Sequence, residues 1–407
     1  MKRRDFLIRS AILGCSAAAS PFMTPVALAS APWDARLVVI ILRGAMDGLD
    51  MVRPYGDREY AALRGGLTGG SVGEADLDGF YALHPSLEPL RPLWKQGGLG
   101  FAHAVSTPYR DQRSHFDGQD LLEAGTVGLD GAARRDGWLN RLLQSVPGVT
   151  GETSFALGRD RMLLMRGDAP VSTWAPESDL NLSPQARLLL ETVHHDDPLF
   201  AGAVSDAIHI AESLGLIDVP ENVMDAQEMV MERAEASRKQ AADGHTMLAE
   251  FAAARLKEEA RIAAFSLNGW DTHKGQAKAI ARSGTQLAEV IGLLHDRLGP
   301  DVWGKTVVLA MTEFGRTARV NGSAGTDHGT GSAMVMAGGA LRGGQVWADW
   351  PGLGDSDLYA RRDLMPTRDV RAHAAWTLRS LFGIDRTLLE TSVFPGLDMG
   401  NDPNLIL

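Results

Sequence analysis

The chain has 407 residues, 44% hydrophobic and 22% charged, the balance of a packed globular protein, which excludes a disordered one. Forty basic against 51 acidic side chains give a net charge of −11 with no basic block, which argues against nucleic acid or an anionic membrane as the main partner. A lone cysteine, Cys15, excludes intramolecular disulfides and Cys-ligated zinc.

Residues 1–29 read as an address. Lys2-Arg3-Arg4-Asp5-Phe6-Leu7 sets adjacent arginines before a hydrophobic pair, which resembles the twin-arginine export signal. The apolar stretch Ala11–Met23 is short for a bilayer span. Ala27-Leu28-Ala29 is a small-x-small cleavage site and predicts a mature start at Ser30. Two other readings are an amphipathic N-terminal helix and lipid attachment at Cys15, although Leu13 is bulkier than lipid-attachment sites prefer. The export reading makes the twin-arginine machinery a partner and the periplasm or the medium the destination. That route carries folded proteins, which suits a protein whose metal is chosen in the cytoplasm. The mature chain would have no cysteine to mispair in an oxidising envelope. Without the leader's net +3, the remainder carries −14. No later window holds about 18 consecutive apolar residues, so no internal transmembrane helix is expected.

Arg36–Leu42 is a β-branched run, the pattern of a strand buried on both faces of a parallel sheet. It opens into the small-residue turn Gly44-Ala45-Met46-Asp47-Gly48. Further strands are predicted at Leu99–Val105, Ile262–Leu267, Thr306–Met311 and Ser332–Ala337. Helices are predicted at Ser114–Glu123, at Gln276–Leu298, where Ile280, Leu287, Val290, Ile291 and Leu294 repeat with the helical period, and at Asp369–Leu381. Strands alternating with helices give a layered α/β fold with a mostly parallel sheet. Pro198–Arg261 stands apart, poor in strand formers and dense in Ala, Glu, Met and Lys. It reads as two or three helices, either ordinary crossovers or a cap inserted beside the active face. With no clean linker, residues 30–407 are expected to form one domain with insertions.

In open α/β sheets, ligands bind beyond the carboxyl ends of the strands. That rule selects Asp47, Ser114, His115, Asp271, His273, Glu313, Asp327 and His328. Six of them can ligate a metal: Asp47, Asp271, His273, Glu313, Asp327 and His328. Mixed carboxylate and imidazole donors suit zinc, manganese or iron, with magnesium or calcium at an all-oxygen half. Two metals about 4 Å apart are a common device for phosphoryl-type esters. Each residue also has a plainer role. Asp47 before Gly48 fits turn chemistry, and Ser114 at a helix start fits capping. The same free N–H groups would stabilise an anion and make Ser114 a nucleophile. Arg113 and Arg316 fit either an anion clamp or local ion pairs, and Tyr109 and Arg110 are looser candidates.

The motifs fall in a recognisable order: Leu42–Leu49, Pro54–Asp57, Leu83–Pro85, Arg113–Asp117, Asp136–Arg141, Trp270–His273, Thr312–Thr317, Thr326–Gly329, Gly338–Gly344 and Phe394–Gly396. Together they resemble the bacterial DUF1501 family over nearly the whole mature chain. That family is in turn similar to the alkaline phosphatase and sulfatase superfamily. The resemblance implies a three-layer α/β/α sandwich and a site of one or two divalent metals. It places Asp47, Asp271, His273, Glu313 and His328 in the metal shell and Ser114 as nucleophile. The chain departs where phosphatases show Asp-His, because it has Glu313-Phe314, so a second metal needs another donor such as Asp327. Formylglycine chemistry is excluded, because Ser114 is followed by His-Phe-Asp-Gly. The expected function is an exported metal-dependent hydrolase of a small phosphate or sulfate ester, with Ser114 attacking or positioning water and Arg316 clamping the anion. The alternative is a non-catalytic exported binding or assembly protein on the same fold.

Overall fold

A computed structural model describes residues 32–68, 75–129, 136–160, 162–176 and 244–407. The leader and residues 198–243 of the expected helical insertion lie outside the described residues. Inside them, the insertion's end is a helix over 244–257.

The strands of the main sheet, labelled in chain order, are β1 (Arg36–Leu42), β2 (Leu99–Ser106), β3 (Ser154–Leu157), β4 (Ser172–Trp174), β5 (Ile262–Leu267), β6 (Thr306–Met311), β7 (Ser332–Ala337), β8 (Val346–Trp347) and β9 (Arg368–Asp369). They run β8-β2-β7-β6-β1-β5-β3-β4, with β9 also paired to β2. β1 lies parallel between β5 and β6. The five strands expected from sequence are present. The four missed, β3, β4, β8 and β9, are too short to show a period.

β1 shows why the sheet has two covered faces. Its side chains alternate, and all are buried. Val38, Ile40 and Leu42 enter one core with Leu287, Val290, Ile291 and Leu294 of the helix Gln276–Trp303 and Leu256 of helix 244–257. Leu37, Val39 and Ile41 enter the opposite core with Leu139 and Leu142 of Trp138–Gln144 and Ala374 and Leu378 of Val370–Phe382. Helices on both faces of a mostly parallel sheet make three layers. Each buried aliphatic side chain of β1 contributes about 1.5–3 kcal/mol.

Capping sets the helix ends. His115–Ala124 begins at Ser114, whose side chain accepts from the Asp117 N–H, and stops at Gly125 with φ 67°. Val370–Phe382 begins at Asp369, which accepts from the Arg371 N–H. Gln276–Trp303 runs past the predicted end at Leu298 through a kink at Gly299-Pro300, where the proline restrains its predecessor and the glycine accepts φ 69°. Among the described residues, no helix is long and apolar enough to cross a membrane.

One strand breaks the parallel pattern. β7 runs antiparallel to both neighbours, β2 and β6. Its entrance therefore lies at the edge where β1, β5 and β6 end. Residues just before β7 thus meet residues just after the other strands.

Candidate functional site

β6 and β7 are joined at this edge by a hairpin-like excursion. Gly315 N–H donates to the Thr330 carbonyl at 3.0 Å, Gly329 N–H to the Gly315 carbonyl at 2.8 Å, and Thr317 N–H to the Asp327 carbonyl at 2.9 Å. Arg316 is thereby bridged to His328 across the pair. The loop leaving β5 brings Asp271 and His273 against this excursion. It can pass there because position 44 is glycine. A Cβ on Gly44, whose φ is +117°, would lie 2.4 Å from the Asp271 nitrogen.

Three donor atoms converge. His273 Nε2 lies 2.9 Å from His328 Nε2 and 3.1 Å from Asp271 Oδ1, and His328 Nε2 lies 3.4 Å from the same oxygen. The outer nitrogens fix the tautomers. His328 Nδ1 is 2.9 Å from the Arg113 carbonyl, which can only accept, so Nδ1 carries the proton. His273 Nδ1 is 3.2 Å from Asp327 Oδ1, so it donates too. Both rings then turn Nε2 toward each other and toward a carboxylate oxygen. Burial holds His328 below the ordinary imidazole pKa and favours its neutral form. Three polar atoms at such range need a proton or a cation among them. Donors about 2.0–2.1 Å from a tetrahedral zinc are separated by about 3.3 Å, so the observed triangle fits a divalent ion.

Neighbouring groups hold these donors. Arg316, 1% exposed, donates from Nη1 to Asp271 Oδ1 at 2.9 Å. Although partial burial works the other way, Arg316 keeps the Asp271 carboxyl below its ordinary pKa. Asn321 donates to Asp327 Oδ1 at 3.0 Å and, with His273, keeps that carboxyl ionised. Carboxylates and carbonyls behind metal-ligating imidazoles serve this orienting purpose.

His115 forms the next wall. Its Nδ1 is 2.8 Å from Glu313 Oε1, and its Nε2 is 3.5 Å from Asp271 Oδ2. His115, Asp271 and His328 form a second potential metal-holding group, with donor atoms all within 4.8 Å of one another. His115 Nε2 and Arg316 Nη2 are buried without a hydrogen-bond partner. The Glu313 hydrogen bond raises the His115 pKa against the opposing effect of burial. Glu313 is wholly buried, yet donors including His115, Gln119 and the Gly44 N–H keep its carboxyl below the ordinary range. Phe314 stacks between His115 and Tyr109 at 5.3 and 5.7 Å. It lies so close to the His115 helix that a Cβ on Gly118 would come within 2.8 Å of its ring.

Of the six expected ligands, the structure gathers Asp271, His273 and His328, with Asp327 behind His273. Asp47 departs from the expectation. It is 1% exposed and takes Arg64 Nη1 and Nη2 at 2.6 and 3.1 Å and Gln276 Nε2 at 2.7 Å. A buried carboxylate needs a countercharge, and a guanidinium supplies it there. Glu313 also departs, since its oxygens are used by His115, Gln119, Gly44 and Thr312. Arg316 supports Asp271 through Nη1 rather than facing solvent, and its Nη2 has no hydrogen-bond partner. Ser114 caps its helix at a long 3.4 Å and sits next to His115. Arg110 is occupied by the Ser106 hydroxyl and the Tyr109 carbonyl, whereas Arg113 contributes its carbonyl. The residue omitted from the ligand set is His115. It lay among the eight selected by position, at a helix start beside Ser114.

A sequence-family model described as a protein of unknown function (DUF1501) matches residues 74–388. No curated protein matches the chain. Among solved structures, the lipoteichoic acid synthase LtaP from Listeria monocytogenes is 10% identical with a TM-score of 0.32, over 71% of this chain and 58% of the synthase. The chain thus spans less than two thirds of that protein. A protein in the alkaline phosphatase superfamily from Vibrio parahaemolyticus is 12% identical with a TM-score of 0.34, over 95% of this chain and 76% of its own.

Proposed function

The chain belongs to the DUF1501 family, and from that premise we propose that it is an exported metal-dependent hydrolase of a small phosphate or sulfate ester. The observation that carries this reading is the meeting of three potential ligand atoms, from His273, His328 and Asp271, at separations of 2.9–3.4 Å. Asp271, His273 and His328 would hold the divalent cation. Bound there, it would supply Lewis acidity toward an ester oxygen and lower the pKa of water.

The chain's own residues do the rest. Arg316 keeps Asp271 ionised and fixed. Asp327 and the Arg113 carbonyl hold the two imidazoles with Nε2 facing inward. Ser114 is the proposed nucleophile: it directly precedes His115, and its capping bond is a long 3.4 Å. The N-terminal N–H groups of His115–Ala124 favour an anion beside it. His115, oriented by Glu313, offers Nε2 on the same side as Asp271 Oδ2. The leader sequence supports export by the twin-arginine route to the periplasm or the medium.

One observation favours a second reading, a non-catalytic binding or assembly protein. Asp47 and Glu313 are both committed to protein partners. Elemental mass spectrometry of the exported protein, with His273→Ala beside it, separates the two. Bound metal in the wild type, lost in the variant, followed by turnover in a phosphate- and sulfate-ester screen, supports the hydrolase. A wild type that folds metal-free refutes it.

A further inference from the structure

We propose that this site takes a single divalent cation and that the Arg64 guanidinium holds the place a second would occupy. The proposal rests on the hydrolase reading above. The six acids and histidines at the strand ends are numerous enough for two metals, but with Asp327 behind His273 the structure divides the other five. One group is the open triangle of Asp271, His273 and His328. The other, Asp47 and Glu313, is sealed in protein.

Asp47 lies at the end of the first turn after β1, and Arg64 reaches it from the helix Tyr60–Thr68. The guanidinium makes a two-pronged contact at 2.6 and 3.1 Å, and both groups are 1% exposed. Its Nε donates to the Ala318 carbonyl at 2.7 Å, and Nη2 also donates to the Thr317 carbonyl at 2.8 Å. Those carbonyls belong to the excursion that carries Arg316 and His328. The planar fork therefore ties the β1 turn to the metal-bearing hairpin, as a shared cation would. Gln276 adds a further donor to Asp47 Oδ2 and spans to Asp50 Oδ2 at 3.0 Å. Three donor atoms on one buried carboxylate, two of them from a guanidinium cation, leave a divalent ion both short of lone pairs and repelled.

Glu313 is closed in a different way. Oε1 accepts from the Gly44 N–H at 3.0 Å, His115 Nδ1 at 2.8 Å and Gln119 Nε2 at 3.1 Å. Oε2 accepts from the Thr312 hydroxyl at 2.9 Å. The next side chain, Phe314, offers a ring in place of a donor and is 2% exposed. A second ion would have to break two buried polar networks and displace an aromatic ring.

The test is a metal count on the full exported chain by native and elemental mass spectrometry after saturation with zinc or manganese. One equivalent in the wild type and none in His273→Ala is expected. Two equivalents in the wild type would overturn the single-cation proposal and leave the hydrolase reading standing. None would overturn the hydrolase reading itself, and the single-cation proposal with it. Arg64→Met frees Asp47 in the same pocket, so the folded variant should take up a second equivalent. A folded variant that stays at one would remove Arg64 from the proposal. If Arg64→Met does not fold, Asp47→Asn with Arg64→Met removes the charge and its partner together. That pair should keep one equivalent, and a second equivalent in it would place the extra ion elsewhere and overturn the assignment to Asp47.

Discussion

Lowering the pH from about 7 to about 5 should destabilise the fold through buried histidines outside the triangle of Asp271, His273 and His328, His103 and His373 among them. His103 in β2 and His373 in the helix Val370–Phe382 are 1% and 2% exposed. Burial depresses their pKa values from 6.5 to about 4 and about 3, and the Arg368 charge adds to the effect at His373. The neutral His103 ring is fully used: Nε2 donates to the Val52 carbonyl at 2.9 Å, and Nδ1 accepts the Ala104 N–H at 2.8 Å. A proton on Nδ1 breaks the second bond. As pH falls below 6.5 the unfolded chain takes up these protons and the folded chain does not. Stability is therefore full above the unfolded pKa and is lost as pH falls toward about 4 at His103 and about 3 at His373. At pH 5 each ring costs about 2 kcal/mol, about 4 kcal/mol for the pair, as an order of magnitude. Total stabilities of domains are about 5–15 kcal/mol, so the loss is large. The triangle also contains histidines, so the assay must be differential. Urea denaturation of wild type and His373→Leu at both pH values isolates one ring. The pH-induced loss should shrink by about 2 kcal/mol in the variant. An equal loss in both proteins would refute the assignment of a neutral, proton-resisting His373.

Arg316→Met should weaken metal binding by about 10–100-fold by freeing Asp271, measured by competition with a chelating dye; unchanged affinity would deny Arg316 its positioning role. Ser114→Ala should lose turnover of any ester found while keeping its metal, and should lower stability by about 1 kcal/mol through the missing cap; retained turnover would point to direct attack by water. Gly118→Ala should cost about 1–3 kcal/mol in thermal or urea unfolding, because the new methyl group would meet the Phe314 ring; a neutral result would mean that ring can shift freely.

The buried strands were legible because burial on two faces imposes a run of β-branched residues that few other structures share. β1, β5, β6 and β7 have the bounds expected of them. The orientation of β7 was not legible, since a buried apolar run carries no direction. Asp271, His273 and His328 were legible as strand-end residues. What position could not distinguish was an acid left open at the strand ends from one already neutralised. Asp47 follows its strand just as Asp271 does, but its partner Arg64 comes from a helix without any motif. Glu313 is likewise decided by His115, Gln119 and the Gly44 backbone, which only tertiary packing brings together. The same packing moved His115 from a helix-start context to the wall of the site.

The excursion between β6 and β7 also bears on how the chain assembles. Arg316 and His328 lie twelve positions apart in sequence on one self-bonded hairpin, so this half of the site closes a short loop and can form early. Asp271 and His273 arrive on the loop after β5 and are joined to the hairpin by contacts between distant segments. A cation between Asp271 and His328 would act as a removable cross-link between a local unit and a non-local one. Its stabilisation would grow with free metal concentration, and it would fall mainly on the late docking of the β5 loop. Metal supply would then set how long the assembled edge stays closed, with little effect on how fast the hairpin forms.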